Sequence, residues 1–331
     1  MPQAYISGTG SKTPRRILSN KDLETIVDTS DEWIIRRTGI KERRFCTKGE
    51  NESSTDLGTQ ASLKAMEMAG VSPKDLDMIV VGTVTPDRQF PSAACMVQET
   101  LNADNAASFD ISAGCSGFIY GLSVVSNAIQ CGTCRTGLVI GIERLSSVIN
   151  WQDRSTSVLL GDGAGAVVLS STNNHYGILS THLKSDGGLG ELLYSTDRET
   201  YNTPEILKTL EIKPFYLIME GNRLFKRAVG CLSEIAREAL QHNSISSDEL
   251  ELLIPHQANI RIIKAMAKNL RIPMEKVYTN IHKYGNTSSA SIPIALDEAN
   301  REGRISKDGH VLLVTFGAGL TWGASLLKWC I

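Results

Sequence analysis

The stretch Gly161-Asp-Gly-Ala-Gly-Ala-Val-Val-Leu169 decides the fold of this chain, because a related stretch recurs near the C-terminus. The second copy, Gly317-Ala-Gly-Leu-Thr-Trp-Gly-Ala-Ser-Leu-Leu327, again joins a glycine-rich segment to an apolar run. In each copy we expect a strand, a tight glycine turn and another strand, since glycine adopts positive φ at no steric cost. This weak internal repeat predicts a duplicated fold with its boundary near residues 171–176.

The two glycine clusters also invite comparison with nucleotide-binding loops. A dinucleotide fingerprint follows a strand and opens a helix, whereas each cluster here leads into an apolar strand. The chain also lacks the GKS or GKT of a phosphate-binding loop. A hairpin turn is therefore the better interpretation.

Short runs rich in Val and Ile alternate with longer helical patterns, which is typical of an α/β protein with a buried sheet. We expect strands at residues 76–83, 108–112, 137–142, 164–170, 250–254 and 311–315, and helices at 91–101, 117–130, 223–242 and 260–270. Pro91 is expected in the first turn of its helix, where a missing N–H needs no partner. We predict an N-terminal half over residues 1–172 and a C-terminal half over residues 173–331.

The composition is that of a globular protein without a bias toward one charge. Hydrophobic residues make up 41% and charged residues 21%, and 34 Lys+Arg against 36 Asp+Glu give a net charge of -2. This balance gives no general attraction to nucleic acid or to an anionic membrane, so an acidic partner would need a local basic patch. No apolar run approaches the roughly 20 residues that span a bilayer, and the N-terminus lacks the apolar stretch of a secretory signal.

The seven cysteines, irregularly spaced, indicate reduced thiols in a cytoplasmic protein. Cys131 and Cys134 have the spacing of a CxxC pair, but the chain has no second pair to complete a zinc site. We therefore expect no metal centre and a structural role for this pair.

The sharpest chemical signal is the segment Phe109-Asp-Ile-Ser-Ala-Gly-Cys-Ser-Gly-Phe118. A strand is expected to end near Ser112, and Cys115 then falls at the N-terminal end of a long helix. Unpaired N–H groups and the helix dipole favour a thiolate there, which would lower the pKa of Cys115 and make it a nucleophile. By its position alone, Cys115 fits a buried packing residue better, because most cytosolic cysteines are of that kind.

Two further residues are candidates for chemistry. His256 follows an apolar strand and precedes a helix in Leu252-Leu-Ile-Pro-His-Gln-Ala-Asn259. Asn286 lies in the small-residue loop Tyr284-Gly-Asn-Thr-Ser-Ser-Ala-Ser291. Taken separately, each is also compatible with an ordinary polar residue or a turn-forming asparagine.

Six motifs in order along the chain resemble the β-ketoacyl-acyl-carrier-protein synthase III family. They are DTSDEWIIRRTGI, AGCSGF, RSTSVLLGDGAGA, PHQANIRI, YGNTSSASIPIALDEA and FGAGLTWGASLL. The resemblance implies a duplicated thiolase fold, five-layered α-β-α-β-α, in a homodimer that needs no cofactor. It also implies an acyltransferase that takes an acyl group from acyl-CoA and condenses it with malonyl-ACP, with loss of CO2, to give a 3-oxoacyl-ACP.

The same resemblance assigns roles to individual residues. Cys115 would carry the acyl group, while His256 and Asn286 would donate hydrogen bonds to the malonyl thioester and stabilise its enolate. A second oxyanion hole would use the backbone N–H groups of Cys115 and Ala318, a position where family members often have glycine. Three related classes of enzyme fit less well. Degradative thiolases would need a second cysteine in the loop 316–323, and elongating synthases would have a histidine in place of Asn286. Plant-type polyketide synthases are longer than this chain.

Binding residues are implied in the same way. Trp33, Arg37 and Arg154 would contact CoA, and Asn222 and Asn259 would line the pantetheine tunnel. The acyl pocket would be shaped by Leu160, by Phe90 reaching across the dimer, and by the irregular stretch 185–214. These residues do not rank acetyl, branched and medium-chain primers, because each methylene contributes only about 0.8 kcal/mol of burial.

A surface for the acidic carrier protein follows from the charge pattern itself. In the segment 261–271, basic residues recur at helical spacing while apolar residues face inward. The predicted docking residues are Arg261, Lys264 and Lys268 on this helix and Lys226 on the preceding one. Asn269 replaces a basic residue of some family members, and a purely solvated charged face is the alternative interpretation.

Three other functions stay open at this level. A secondary-metabolism relative that loads or transfers an unusual acyl starter would keep the same motifs. A non-catalytic acyl- or carrier-binding scaffold is the second, and the intact Cys-His-Asn set argues against it. A purely structural partner protein is the third and the least favoured.

Overall fold

A computed structural model describes residues 2–196 and 216–331. The strands are β1 Gln3–Lys12, β2 Arg16–Ser19, β3 Glu42–Phe45, β4 Met78–Gly82, β5 Ala107–Ile111, β6 Thr136–Arg144, β7 Asp162–Thr172, β8 Gly177–Ser185, β9 Leu193–Ser195, β10 Leu217–Met219, β11 Leu250–Pro255, β12 His310–Gly317 and β13 Thr321–Lys328. The helices are α1 Asn20–Glu24, α2 Asp31–Thr38, α3 Ser54–Ala69, α4 Ala93–Leu101, α5 Gly117–Gln130, α6 Arg154–Ser157, α7 Gly221–His242, α8 Ile260–Leu270, α9 Ile281–Tyr284 and α10 Ser291–Arg301.

Two larger sheets share one pairing pattern. The first has the order β5-β4-β6-β7-β1, with β5, β4 and β6 parallel and the remaining pairs antiparallel. The second has the order β11-β12-β13-β8, in which a parallel pair is again followed by two antiparallel pairs. The first sheet draws its strands from residues before β8, and the second from β8 onward. The repeated pattern agrees with the duplicated thiolase fold predicted from the sequence.

Helices and sheets alternate in five layers, as predicted. Helices α3 and α4 cover the outer face of the first sheet, α5 and α10 lie between the sheets, and α7 and α8 cover the second. The central layer is apolar on both sides, with Phe118 and Leu122 of α5 and Leu296 of α10 buried in one cluster. Burial on both faces explains why α5 is nearly continuous in apolar and small residues.

The glycine-rich stretch at 161–166 differs from the prediction of a turn. Strand β7 already begins at Asp162, so Gly163 and Gly165 lie inside the strand. A Cβ atom at Gly165 would be 2.6 Å from the backbone nitrogen of Ile294 in α10. Glycine is therefore needed here for the close approach of a helix and not for a reversal of the chain.

The second glycine-rich stretch does form the predicted hairpin turn, since β12 ends at Gly317 and pairs antiparallel with β13 from Thr321. Helix α4 begins at Ala93 and not at Pro91, because the Ser92 hydroxyl caps it by accepting the N–H of Cys95. Helices α5 and α8 have the predicted bounds. Within the described ranges, no helix has the length and apolarity needed to cross a bilayer.

Candidate active site

Cys115 lies in a short turn, Gly114–Ser116, between β5 and α5. Three hydrogen bonds tie this turn to the β12–β13 hairpin of the other half of the chain. Thr315 Oγ1 donates to Cys115 O at 3.1 Å, and Thr321 Oγ1 donates to Ala113 O at 2.8 Å. Ser116 Oγ donates to Thr321 O at 3.2 Å. The candidate nucleophile is thus held by both halves of the molecule.

The electrostatics of Cys115 differ from the expectation. Burial raises the pKa of the Cys115 thiol to about 11. Hydrogen bonds from the Ser288 hydroxyl and from the N–H groups of Cys115 and Ala318 act in the opposite direction, while the nearby Glu143 raises the pKa further. The prediction of a lowered pKa was wrong, because desolvation outweighs the effect of the helix terminus. The thiol must lose its proton to another group before it can react.

His256 directly follows β11, and its backbone N–H donates to Val314 O at 2.8 Å. Burial lowers the pKa of its imidazole to about 4, so the ring is neutral at pH 7. Its Nδ1 lies 2.6 Å from Ser291 Oγ, which also accepts the N–H of Gln257 at 3.3 Å. Among the described residues, Nδ1 is the acceptor within reach of the Ser291 hydroxyl, so this hydroxyl donates to Nδ1. This network assigns the ring proton of His256 to Nε2.

Asn286 is fixed by its backbone and by one side-chain atom. Its N–H donates to Leu159 O at 2.8 Å, and its carbonyl accepts the N–H of Gly161 at 2.9 Å. Its Oδ1 accepts the N–H of Ser288 at 2.8 Å. The amide nitrogen Nδ2 is left as a donor toward the cavity that Asn286 lines.

A cavity of about 850 Å³ contains these groups together. Of the predicted site residues, it is lined by Trp33, Arg37, Cys115, Leu160, Asn222, Lys226, His256, Asn259, Arg261, Asn286 and Ala318. Apolar residues of β9 and β10, Leu193, Leu217 and Met219, form part of the wall. The stretch predicted to shape the acyl pocket therefore contributes at its described end, and residues 197–214 of it lie outside the described residues.

The entrance of the cavity is basic and aromatic. The Arg154 guanidinium lies 4.8 Å from the centre of the Trp33 ring, and that of Arg37 lies 5.9 Å from it. Asn259 caps α8 by accepting the N–H of Arg261, and its Nδ2 donates to Arg37 O at 3.1 Å. Arg154 thus joins the predicted CoA residues through Trp33, although it does not itself line the cavity.

Besides Arg154, three predicted residues lie apart from the cavity lining. The Phe90 side chain is 86% exposed, which is unusual for a large aromatic residue and leaves it free to meet another surface. Lys264 and Lys268 are exposed on α8, on the helical face that continues from Arg261.

The sequence analysis missed Glu143, which is fully buried at the end of β6 beside the site. Burial raises the pKa of its carboxyl to about 7, although hydrogen bonds from Thr85, Ser289, Val84 and Ser288 oppose this. The signal was present in Gly137-Leu-Val-Ile-Gly-Ile-Glu143, where a single acidic residue ends an otherwise apolar strand.

Comparisons with known proteins match the sequence of this chain to one family. The sequence model of 3-oxoacyl-[acyl-carrier-protein (ACP)] synthase III matches residues 109–187, and the model of its C-terminal part matches residues 240–329. A β-ketoacyl-[acyl-carrier-protein] synthase III from Caldanaerobacter subterraneus subsp. tengcongensis is 51% identical over 98% of both chains. One from Aquifex aeolicus is 48% identical over 98% of this chain and 99% of its own.

Solved structures agree. The crystal structure of 3-oxoacyl-[acyl-carrier-protein] synthase III from Aquifex aeolicus VF5 has a TM-score of 0.91 at 48% identity, covering 98% of this chain and 100% of that one. The priming β-ketosynthase of the R1128 polyketide pathway has a TM-score of 0.91 at 37% identity, covering 98% and 96%.

Proposed function

The chain belongs to the 3-oxoacyl-[acyl-carrier-protein] synthase III family, and we propose that Cys115, His256 and Asn286 carry out the reaction of that family here. The protein is an acyltransferase of fatty acid synthesis that condenses an acyl group from acyl-CoA with malonyl-ACP. The secondary-metabolism alternative is not favoured, since relatives at 47% to 51% identity over nearly the whole chain share the synthase III description.

In the first half-reaction, the Cys115 sulfur attacks the thioester carbonyl of acyl-CoA. The backbone N–H groups of Cys115 and Ala318 lower the pKa of this thiol, which supports their role as donors to the oxyanion that forms there. Because the Thr315 and Thr321 hydroxyls hold the turn, both donors are positioned before the substrate arrives. CoA then leaves, and the acyl group stays on Cys115.

In the second half-reaction, malonyl-ACP loses CO2 and its enolate attacks the acyl-Cys115 carbonyl. His256 Nε2–H and Asn286 Nδ2–H donate to the thioester oxygen on which the enolate charge develops. The observation that carries this proposal is that the opposite atom of each side chain is already engaged, by Ser291 and by the Ser288 N–H. Each residue therefore presents one donor to the cavity that contains Cys115.

Substrate binding uses the basic entrance. The adenine of CoA would stack on the Trp33 ring. Arg154, which now lies over the Trp33 ring, would move away and cover the opposite face of the adenine. Asn222 and Asn259 line the cavity and would contact pantetheine. Lys226, Arg261, Lys264 and Lys268 surround or extend from the entrance and would attract the acidic carrier protein.

We further propose a homodimer that covers Phe90 and uses it at the acyl pocket, two structural halves at 1–172 and 173–331, and a cytoplasmic location. Exposure of Phe90 supports the first of these proposals. The proposed reaction converts acyl-CoA and malonyl-ACP into 3-oxoacyl-ACP, CO2 and CoA, and this exchange requires no cofactor. We expect no membrane or nucleic acid to take part.

The decisive experiment is intact-mass analysis after incubation with acyl-CoAs from acetyl to decanoyl, followed by malonyl-ACP. We expect an acyl adduct that malonyl-ACP discharges as 3-oxoacyl-ACP, and no adduct on the Cys115→Ser variant. An adduct that malonyl-ACP does not discharge would indicate a starter-transferring enzyme, and absence of any adduct would contradict the proposed nucleophile.

A further inference from the structure

Glu143 is a buried carboxylate whose partners are hydroxyl groups and one N–H instead of a cation. The hydroxyl of Thr85 donates to Oε2 at 2.6 Å, and the N–H of Val84 donates to the same oxygen at 3.3 Å. The hydroxyls of Ser288 and Ser289 lie 3.1 Å and 2.9 Å from Oε1. Complete burial without a counter-ion in residues 2–196 and 216–331 costs stability, so such a group calls for a functional explanation.

Ser288 connects this carboxylate to the nucleophile. Ser288 lines the same cavity as Cys115 and lowers the pKa of that thiol, and its hydroxyl lies 3.1 Å from Glu143 Oε1. Its backbone N–H is fixed on Asn286 Oδ1 at 2.8 Å, so the hydroxyl is held between the two groups. While Cys115 is a thiol, its S–H can donate to Ser288 Oγ and the Ser288 O–H to Glu143. This gives a continuous path for a proton.

The surroundings of Glu143 suit both of its protonation states. When Glu143 is ionised, the Ser289 hydroxyl can donate to Oε1. When Glu143 is protonated, its own O–H can donate to Ser289 Oγ, because Ser289 can instead donate to Gly82 O at 2.7 Å. A group that gains and loses a proton in each turnover needs such an exchangeable partner, since a buried polar atom without one is costly.

His256 is poorly placed to accept the thiol proton. Its Nδ1 already accepts a hydrogen bond from Ser291, and its Nε2 carries the ring proton. Neither nitrogen offers a free lone pair to the Cys115 side of the cavity. The neutral ring is suited to donate a hydrogen bond, and a separate base is needed for acylation.

We propose that Ser288 and Glu143 form a proton relay that takes the proton of the Cys115 thiol during acylation and returns it to the departing CoA sulfur. This inference rests on the proposed role of Cys115. The S–H proton passes to Ser288 Oγ as the Ser288 proton passes to Glu143. The new thiolate forms a bond to the acyl carbon, the bond from that carbon to the CoA sulfur breaks, and the proton returns through Ser288 to give CoA thiol and ionised Glu143.

In this scheme Ser288 is catalytic because it exchanges a proton with the reacting sulfur, and Glu143 is a positioning residue that acts through it. Other ionisable groups lie around Glu143. Thr85 accepts the N–H of Arg144, whose guanidinium lies 3.7 Å from Asp87, and hydrogen bonds to Thr55 and Ser54 keep the pKa of Asp87 low despite burial. Burial keeps His256 neutral and Cys115 protonated.

The test is single-turnover acylation between pH 5.5 and 9, with the acyl-CoA of the acetyl-to-decanoyl panel that acylates the wild-type protein fastest. The variants are Glu143→Gln, which is isosteric, and Ser288→Ala, which removes one hydroxyl. The matched control is Asp297→Asn, which also neutralises a buried carboxylate; the partners of Asp297 in the described part of the chain are Thr9, Ser11 and Arg301.

For the wild-type protein and the control we expect an acylation rate that rises with pH and levels off above about pH 7. Both relay variants should acylate about 100-fold more slowly at pH 7.5, the range typical for loss of acid–base catalysis, and should lose this inflection. After acylation is driven to completion by long incubation, malonyl-ACP should discharge them at rates within about threefold of wild type.

Two results would overturn the relay: wild-type acylation rates and pH profile in both variants, or equal slowing of acylation and discharge, which indicates a structural role. Because Ser288→Ala tests the same path, the relay stays testable if Glu143→Gln does not fold. Failure of the wild-type protein to form an adduct, or an adduct on Cys115→Ala, would instead contradict the proposed function.

Discussion

Ser291 Oγ lies 2.6 Å from Nδ1 of His256, and this single contact determines which nitrogen of the histidine carries the proton. Ser291 is the first residue of α10, a helix of the central layer, whereas His256 follows a strand of the second sheet. The packing of a helix against a sheet thus sets the tautomer of a proposed catalytic group.

Replacing Ser291 with alanine should therefore impair the second half-reaction. Without the Ser291 hydroxyl, Nδ1 can take the proton, and Nε2 then turns a lone pair toward the malonyl thioester. We expect decarboxylation of malonyl-ACP by the acylated enzyme to fall about 10- to 100-fold, within the range for a weakened oxyanion donor. Acylation should be unchanged. Ser233→Ala, which removes a buried serine of α7, is the control, and equal rates in both variants would contradict the assignment.

Gly114→Ala should disable acylation through the oxyanion hole. Gly114 has φ +54, and a Cβ there would be 2.7 Å from the backbone nitrogen of Ala318. Gly132 has φ +77 with no atom within 4 Å, so Gly132→Ala carries the conformational penalty alone, about 1 kcal/mol. We expect acylation to fall about 100-fold in the first variant and to be unchanged in the second. Urea unfolding and single-turnover acylation measure both effects, and an active Gly114→Ala variant would rule out Ala318 as a donor.

Charge reversal on α8 should weaken the use of malonyl-ACP without affecting acyl-CoA. Lys264→Glu and Lys268→Glu together place negative charge on the face that continues from the cavity entrance. We expect KM for malonyl-ACP to rise about 10-fold, with an effect that shrinks as salt is added. Lys307→Glu, at an exposed position beyond α10, makes the same type of change elsewhere and should not raise KM. Comparable KM values in all variants would show that Lys264 and Lys268 form only a solvated charged face.

Glu143 should make the stability of the protein depend on pH. Because burial raises its pKa to about 7 from 4.5, the folded state binds this proton more tightly than the unfolded state. The resulting stability is fully present below about pH 4.5 and is lost as the pH rises through about 7. The free energy of unfolding of wild type minus that of Glu143→Gln should thus fall by on the order of 3 kcal/mol between pH 4.5 and 8. Urea unfolding of both proteins measures it, and a constant difference would show that Glu143 stays ionised.

The sequence predicted the bounds of helices better than it predicted why glycine is needed at particular positions of a strand. Alternating apolar runs and helical patterns gave α5 and α8 their observed bounds, since periodicity reports which face is buried. Gly163 and Gly165 were expected in a turn but lie within β7. The need for glycine there comes from α10, more than a hundred residues later in the chain, and no local pattern reveals it.

What the sequence determined by itself is the family, the five-layered fold and the identity of the three candidate groups Cys115, His256 and Asn286, because each occupies a motif readable in order along the chain. What only the tertiary structure decided is the protonation of these groups. A pKa depends on burial and on partners in space, and the hydroxyl that links Cys115 to Glu143 comes from Ser288, which is 145 residues from Glu143 in the chain. The raised pKa of the Cys115 thiol, the neutral ring of His256 and the buried carboxyl of Glu143 arise only when both halves of the molecule come together.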